Sequence, residues 1–262
     1  MIKVDIHNHL GSNGDNPGFD ATIDAVHKRL GDNSAFGIAN SDDSRYERFI
    51  EQSGGKYNRE VIQNGRAIYV PEKKVLVVKC QEMFTKDGHI LAIATPYGRN
   101  VKTKNAKDAI KEAKDLGAIL DAVHPYYLSG IGDFLERNPE LWELFSTWEA
   151  YNGSAEFSFP GVLPKDSNEK SMMFYLKNLM HSKELIMGAS SSTDGHTVGV
   201  IGKCYTEIQA EENFMQGNFL ENLDSAFKYT NSLSQLHTEP NRRDAAVHAV
   251  KMGLVKLGLR KD

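Results

Sequence analysis

The chain has 262 residues, a formal net charge of −4 and 40% apolar residues, enough for one large α/β domain with an ordinary buried core. No stretch approaches the roughly 18–20 uninterrupted apolar residues of a membrane span. The acidic balance excludes a broad nucleic-acid-binding surface, which needs clustered Lys and Arg; a nucleotide substrate stays open, because cations bound in a cleft make a locally positive site.

In chain order, patterning predicts a strand over 3–6, a helix over 21–30 and a strand over 35–39. Strands over 75–85 and 90–95 follow, joined by "TKDG", whose Asp-Gly suits a hairpin turn. Next come a helix over 106–116 closed by Gly117, a strand over 118–123, a helix over 139–145 and a strand over 147–151. The remainder reads as helix 169–180, strands 184–189 and 201–208, and helices 219–229 and 242–254, with 54–65 as a polar surface loop. Such alternation favours a largely parallel sheet covered by helices, either open or closed into a barrel, in one domain spanning 1–262. Cys80 and Cys204 are expected as reduced core thiols. The opening "MIKVDIH" leaves no room for a leader before His7, so a cytoplasmic location is expected.

In these folds ligands gather at the carboxyl ends of the strands. His7 and His9 stand at the end of the first strand in "DIHNHL"; alternation puts them on one face, with Asp5, where they could hold a metal ion. His124 follows "AILDAV", Glu149 lies in "TWEAY", and Asp194 and His196 follow "ELIMGASSST". Glu82 lies within the 75–85 strand and His89 just before the next. Alone, H-x-H or D-G-H reads as readily as a strand end or a surface turn. Together they place imidazoles and carboxylates where an active site would be built.

The segments "DIHNHL", "CQEMFTKDGHILAI", "AVHPYY", "WEAYNG" and "SSTDGHTVG", in this order across residues 2–200, resemble the PHP (polymerase and histidinol phosphatase) family of metal-dependent phosphoesterases. The resemblance implies an α/β fold, a distorted (β/α)7 TIM-like barrel with two or three divalent ions at its carboxyl-end mouth. Carried over, His7, His9, Glu82 and Asp194 would bind a first metal, Glu82 would bridge to a second held by His89 and His124, and His196 would serve a third. This donor set suits Mn²⁺, Zn²⁺ or Fe²⁺. The implied activity is that of a phosphomonoesterase on a small molecule or nucleotide, with metal-bound hydroxide attacking phosphorus in line.

Two departures stand out. Asn40-Ser41 occupies the place of the family's Asp-His pair after the second strand, so Asp42 or Asp43, with Asn13 or Asp15, would have to complete a third site. Cys80 stands where the family tends to have glycine. Glu149 and Asn152 match an E-x-x-N pattern and are expected to orient neighbouring ligands. Arg45, Arg99, Lys165 and Lys203 are candidates for clamping a phosphate. His27, His181, His237 and His248 fall in or beside helices and are read as structural or solvated. The alternatives are an amidohydrolase or TatD-like metallohydrolase, which also opens with H-x-H, and a catalytically silent metal- or nucleotide-binding accessory protein. Residues 201–262 carry no motif.

Overall fold

The computed structural model describes residues 1–12, 17–53, 55–156, 166–180, 187–210, 218–240, 242–243 and 245–247. Its elements in order are β1 (Ile2–Asp5), α1 (Phe19–Leu30), β2 (Ser34–Asn40), α2 (Arg45–Ile50), β3 (Glu60–Ile62), β4 (Ala67–Val70), β5 (Val75–Phe84) and β6 (His89–Ile93). Then follow α3 (Ala106–Asp115), β7 (Ile119–Ala122), α4 (Gly132–Arg137), β8 (Thr147–Asn152), α5 (Ser167–Phe174), β9 (Gly188–Ser192), β10 (Tyr205–Ile208), α6 (Phe219–Lys228) and β11 (Leu236–His237). None of the described helices is long and apolar enough to cross a membrane.

One sheet, ordered β11-β10-β1-β2-β5-β6-β7-β8-β9, curls into a nearly closed barrel. β1, β2 and β5 are parallel, as are β7, β8 and β9; β6 runs antiparallel between β5 and β7, so those two groups point the same way. The seam closes where β9 meets β1 and β10. His9 N donates to Gly195 O (2.7 Å), Asn8 bridges Gly195, and the Thr206 hydroxyl both accepts from Ser191 N (2.8 Å) and donates to Ser191 O (3.2 Å). The fold is thus the distorted TIM-like barrel that the resemblance implied.

Both faces of the sheet are buried, so its strands read as apolar runs. Leu76, Val78 and Cys80 share the barrel interior with Ala35, Ala39, Leu91, Ile93 and Ile119, while Val75, Val77, Phe36 and Ile38 pack outward on Ile23 and Val26 of α1. Glu82 continues the inward series of β5 beyond the apolar layer, and Asp121, Glu149 and Ser190 follow the same alternation on the far side. Polar groups therefore collect at one end of the barrel. The other end is plugged by Phe219, Leu223 and Phe227 of α6, close enough to β9 that a Cβ on Gly188 would lie 1.8 Å from Phe227 O. This gives α6, which carries no motif, a structural role.

Several expectations need correction. The 54–65 stretch is not all loop: β3 pairs β4 in a hairpin that lies along the first half of β5. Helices α2 and α4 were not anticipated, each being only six residues long. Pro139–Leu144 is a 3-10 segment, and α5 runs into a π-type turn at Tyr175–Leu179. The strand expected over 201–208 begins at Tyr205, because Gly202 turns the chain at φ +76°. The strand expected at 184–189 is β9; residues 184–186 lie outside the described residues, as does most of the 242–254 helix.

Candidate metal centre

β5 delivers Glu82, and the "TKDG" hairpin returns the chain so that Phe84 pairs with His89. Thr85 holds that turn: its hydroxyl donates to Gly88 O (2.6 Å) and accepts from Asp87 N and Gly88 N, both at 3.2 Å. Gly88 is required twice over. Its φ is +141°, and a Cβ there would lie 2.6 Å from Gly130 O. His89 N donates to Ser129 O (2.7 Å), tying β6 to the loop that carries His124.

His124 and Asp194 stand just past the ends of β7 and β9 with left-handed backbones, φ +30° and +50°. Such conformations are sparsely populated for a residue with a Cβ and concentrate where surrounding structure holds them for a function. Glu149 does part of that holding. Its carboxylate accepts from His124 N, from Asn152 Nδ2 (3.0 Å) and from the Ser192 hydroxyl. Asn152 Nδ2 also lies 3.4 Å from Asp194.

These loops bring the predicted residues together. Glu82 Oε1 lies 2.9 Å from His89 Nδ1 and 3.0 Å from His124 Nε2, with His7 Nε2 at 3.8 Å; its Oε2 lies 3.1 Å from His9 Nε2. The Nε2 atoms of His7 and His9 are 3.0 Å apart, and Asp194 Oδ1 lies 3.8 and 3.6 Å from them. His124 stacks against His7 with ring centroids 5.7 Å apart, and His196 against His9 at 5.2 Å. Apart from His89, all these residues are buried.

Asp5 does not join them. The β1 ladder ends at Asp5, so strict alternation fails beyond it, and its carboxylate accepts instead from Thr193 N (3.0 Å), Thr193 Oγ1 (2.7 Å) and Gly202 N (2.7 Å). Asp42 is also apart: 69% exposed, it pairs with Lys104 at 2.9 Å. Asn13, Asp15 and Lys165 lie outside the described residues. Asn40 accepts from Tyr46 N (2.8 Å) and donates to Glu47 (2.8 Å), which seats α2 rather than facing the cluster. Lys203 pairs with Glu239 at 2.8 Å, and Arg99 is exposed. Arg45 reaches the cluster: its Nη1 lies 3.0 Å from His9 Nδ1. Sequence reasoning missed Asp121, buried beneath Glu149 with one oxygen bonded to Ser190 (2.9 Å). Its position in the inward series of β7 was the available signal.

The electrostatics follow from burial against pairing. Burial opposes charge on Glu82, yet contacts with His124, His7 and His89 hold its pKa well below the usual carboxylate value. Burial likewise disfavours protonated His7 and His124, but Asp194, Glu149 and Glu82 raise the former, and Glu82 chiefly raises the latter. For His9 burial wins, and its pKa falls to about 4. Burial and the Glu149 charge push Asp121 up to about 7.

This donor set fits divalent cations. Two groups, His7-Glu82-His124 and His7-His9-Asp194, each present three ligand atoms within 4.8 Å of one another. Ring nitrogens at 3.0 Å sharing one carboxylate give an ion something to replace.

No protein-family model and no curated protein matches the sequence. By structure, the chain is similar to a two-domain protein from Bacteroides vulgatus containing a predicted PHP-like metal-dependent phosphoesterase, with TM-score 0.50 and 18% identity over 87% of this chain and 63% of that one. It is similar to PsfC from Pseudomonas syringae, with TM-score 0.58 and 13% identity over 99% and 100% of the two chains. It is also similar to the lesion-specific endonuclease PfuEndoQ from Pyrococcus furiosus, with TM-score 0.51 and 13% identity over 86% and 55%. The chain spans less than two thirds of the first and third of these proteins. A cluster of imidazoles and carboxylates sits at the mouth of this barrel, and the chain carries the fold of the PHP-like metal-dependent phosphoesterases.

Proposed function

We propose that the protein is a metal-dependent phosphoesterase acting on a phosphate monoester of a small molecule or nucleotide, with residues 1–262 forming one domain. The observation that carries this reading is Glu82, whose two oxygens face different imidazoles: Oε2 faces His9, Oε1 faces His89 and His124. A carboxylate so shared suits a bridge between two cations. His7, His9, Glu82 and Asp194 would hold one, and Glu82, His89 and His124 the other, with Mn²⁺, Zn²⁺ or Fe²⁺ the ions that suit these donors. Divalent cations bound there would lower the pKa of a water and neutralise charge on phosphoryl oxygens.

The chain's own residues set the geometry. Glu149 holds the His124 backbone and, through Asn152, reaches the Asp194 carboxylate, so both sides of the site hang on one buried acid. Tyr127, half-buried on the His124 loop, has its pKa raised to about 12 by burial and the Asp194 charge, and stays a neutral phenol beside the site.

The test is hydrolysis of p-nitrophenyl phosphate with added Mn²⁺ or Zn²⁺, comparing wild type with His9→Ala. Metal-dependent turnover that drops about a hundredfold or more in the variant is expected. Failure of the loaded wild type to cleave any ester in a panel of phosphomonoesters and nucleotides would overturn the reading. Cleavage of diesters alone would replace the monoester by a diester substrate.

A further inference from the structure

Arg45 is the first residue of α2, and its side chain turns toward the cluster instead of solvent. Nη1 lies 3.0 Å from His9 Nδ1 and 3.4 Å from the Ser41 hydroxyl, and Nε lies 2.8 Å from Asp43 Oδ2; the side chain is 16% exposed. Its Nη2 donates to none of the described residues. Asp43 is shared: the same carboxylate oxygen lies 3.5 Å from Arg48 Nη2, so two guanidinium groups face this one acid, and the Glu82 charge in the cluster also acts on Arg45. α2 itself is held by a buried ammonium: Lys79 Nζ lies 3.6 Å from Glu47 and bonds to Thr95 Oγ1 (2.9 Å), Arg99 O (2.7 Å) and Asn100 Oδ1 (3.1 Å).

Asn40 and Ser41 are already engaged, the first in capping α2 and the second as an acceptor for Arg45. The guanidinium thus takes up the polar contacts on the side of His9 where these two residues stand. A guanidinium is always charged in proteins and presents paired donors matched to phosphate oxygens. An ion held by His9 Nε2 would leave the ring proton on Nδ1, so Arg45 Nη1 would have to turn away from that nitrogen and could donate to an anion alongside Nη2.

We propose that Arg45 is the anion clamp of this site, binding the non-bridging oxygens of the phosphoryl group and standing in place of a third metal ion. This rests on the phosphoesterase reading above. It assigns the clamp to one residue and limits the centre to two ions.

The experiment is equilibrium binding of inorganic phosphate to the Mn²⁺-loaded protein by calorimetry, with metal content measured on the same samples. Wild type, Arg45→Ala, Arg45→Lys and, as a control for general surface charge, Lys104→Ala would be compared after confirming native circular dichroism. Arg45→Ala should bind phosphate about 10- to 100-fold more weakly, the effect of losing charge-assisted hydrogen bonds, with metal content unchanged at about two ions per chain. Arg45→Lys should fall between, and Lys104→Ala should stay within about twofold of wild type. Phosphate affinity within about twofold of wild type in Arg45→Ala, three ions in the wild type, or a loss of metal in Arg45→Ala would each overturn the clamp while leaving the phosphoesterase reading intact. A loaded wild type that binds no phosphate and cleaves no phosphate ester would overturn both.

Discussion

Glu82 and His124 meet at the mouth of the barrel, Oε1 to Nε2 at 3.0 Å, although 42 positions separate them in the chain. Because Glu82 also touches His9 and His89, its carboxylate organises both halves of the site. Glu82→Gln keeps the shape and removes the charge. It should lose most bound metal, and hydrolysis should fall by about a hundredfold or more. Elemental analysis beside a turnover assay checks this; wild-type metal content in the variant would contradict it.

The raised pKa values of His7 and His124 mean that, without metal, protons supply the positive charge that balances Glu82 and Asp194. An imidazole must give up that proton to bind an ion. Metal binding should therefore release protons near neutral pH, and affinity should rise as pH rises through these pKa values. Calorimetry in two buffers of different ionisation enthalpy measures the protons directly. Identical heats in both would count against the assignment.

Asp5 gives a stability prediction of definite sign. Burial outweighs its hydrogen-bond donors and lifts its pKa from 3.8 to about 6 in the folded protein. A carboxyl raised on folding stabilises the native state fully below its unfolded pKa, and the contribution is lost as pH rises through the folded value. Between about pH 4 and pH 7 the metal-free protein should lose on the order of 3 kcal/mol from this group. Asp5→Asn, though less stable overall, should lack that part of the slope in urea denaturation. Parallel pH profiles would refute it.

Gly88→Ala tests the link between the two histidine-bearing segments. The added Cβ meets Gly130 O and Ile131 Cα at 2.6 Å in a backbone already at φ +141°. Destabilisation of roughly 1–3 kcal/mol is expected, with weaker metal binding because His89 N is bonded to Ser129 O. Gly18→Ala, where a Cβ meets nothing within 4 Å, is the matched control. Equal melting temperatures for the two variants would show that the contact is not needed.

The sequence by itself determined the strand-helix alternation, the hairpin that pairs Phe84 with His89, and the residues gathered at the strand ends, because side-chain periodicity and turn chemistry are local properties. His7, His9, Glu82, His89, His124 and Asp194 stood out by their places at strand ends, and the structure brings them together; Glu149 and Asn152 were picked out by the resemblance, and they hydrogen-bond to each other beside this group. Alternation misplaced Asp5, since pairing stops there and a face is defined only while the ladder lasts. Only the tertiary structure decided that Asn40 caps α2, that Asp42 pairs with Lys104 away from the cluster, and that Arg45 rather than Arg99 or Lys203 reaches His9. It likewise decided that α6 plugs the barrel end opposite the site. Each of these depends on which segments pack together across long stretches of chain, and burial and charge pairing fix that only once the barrel has closed.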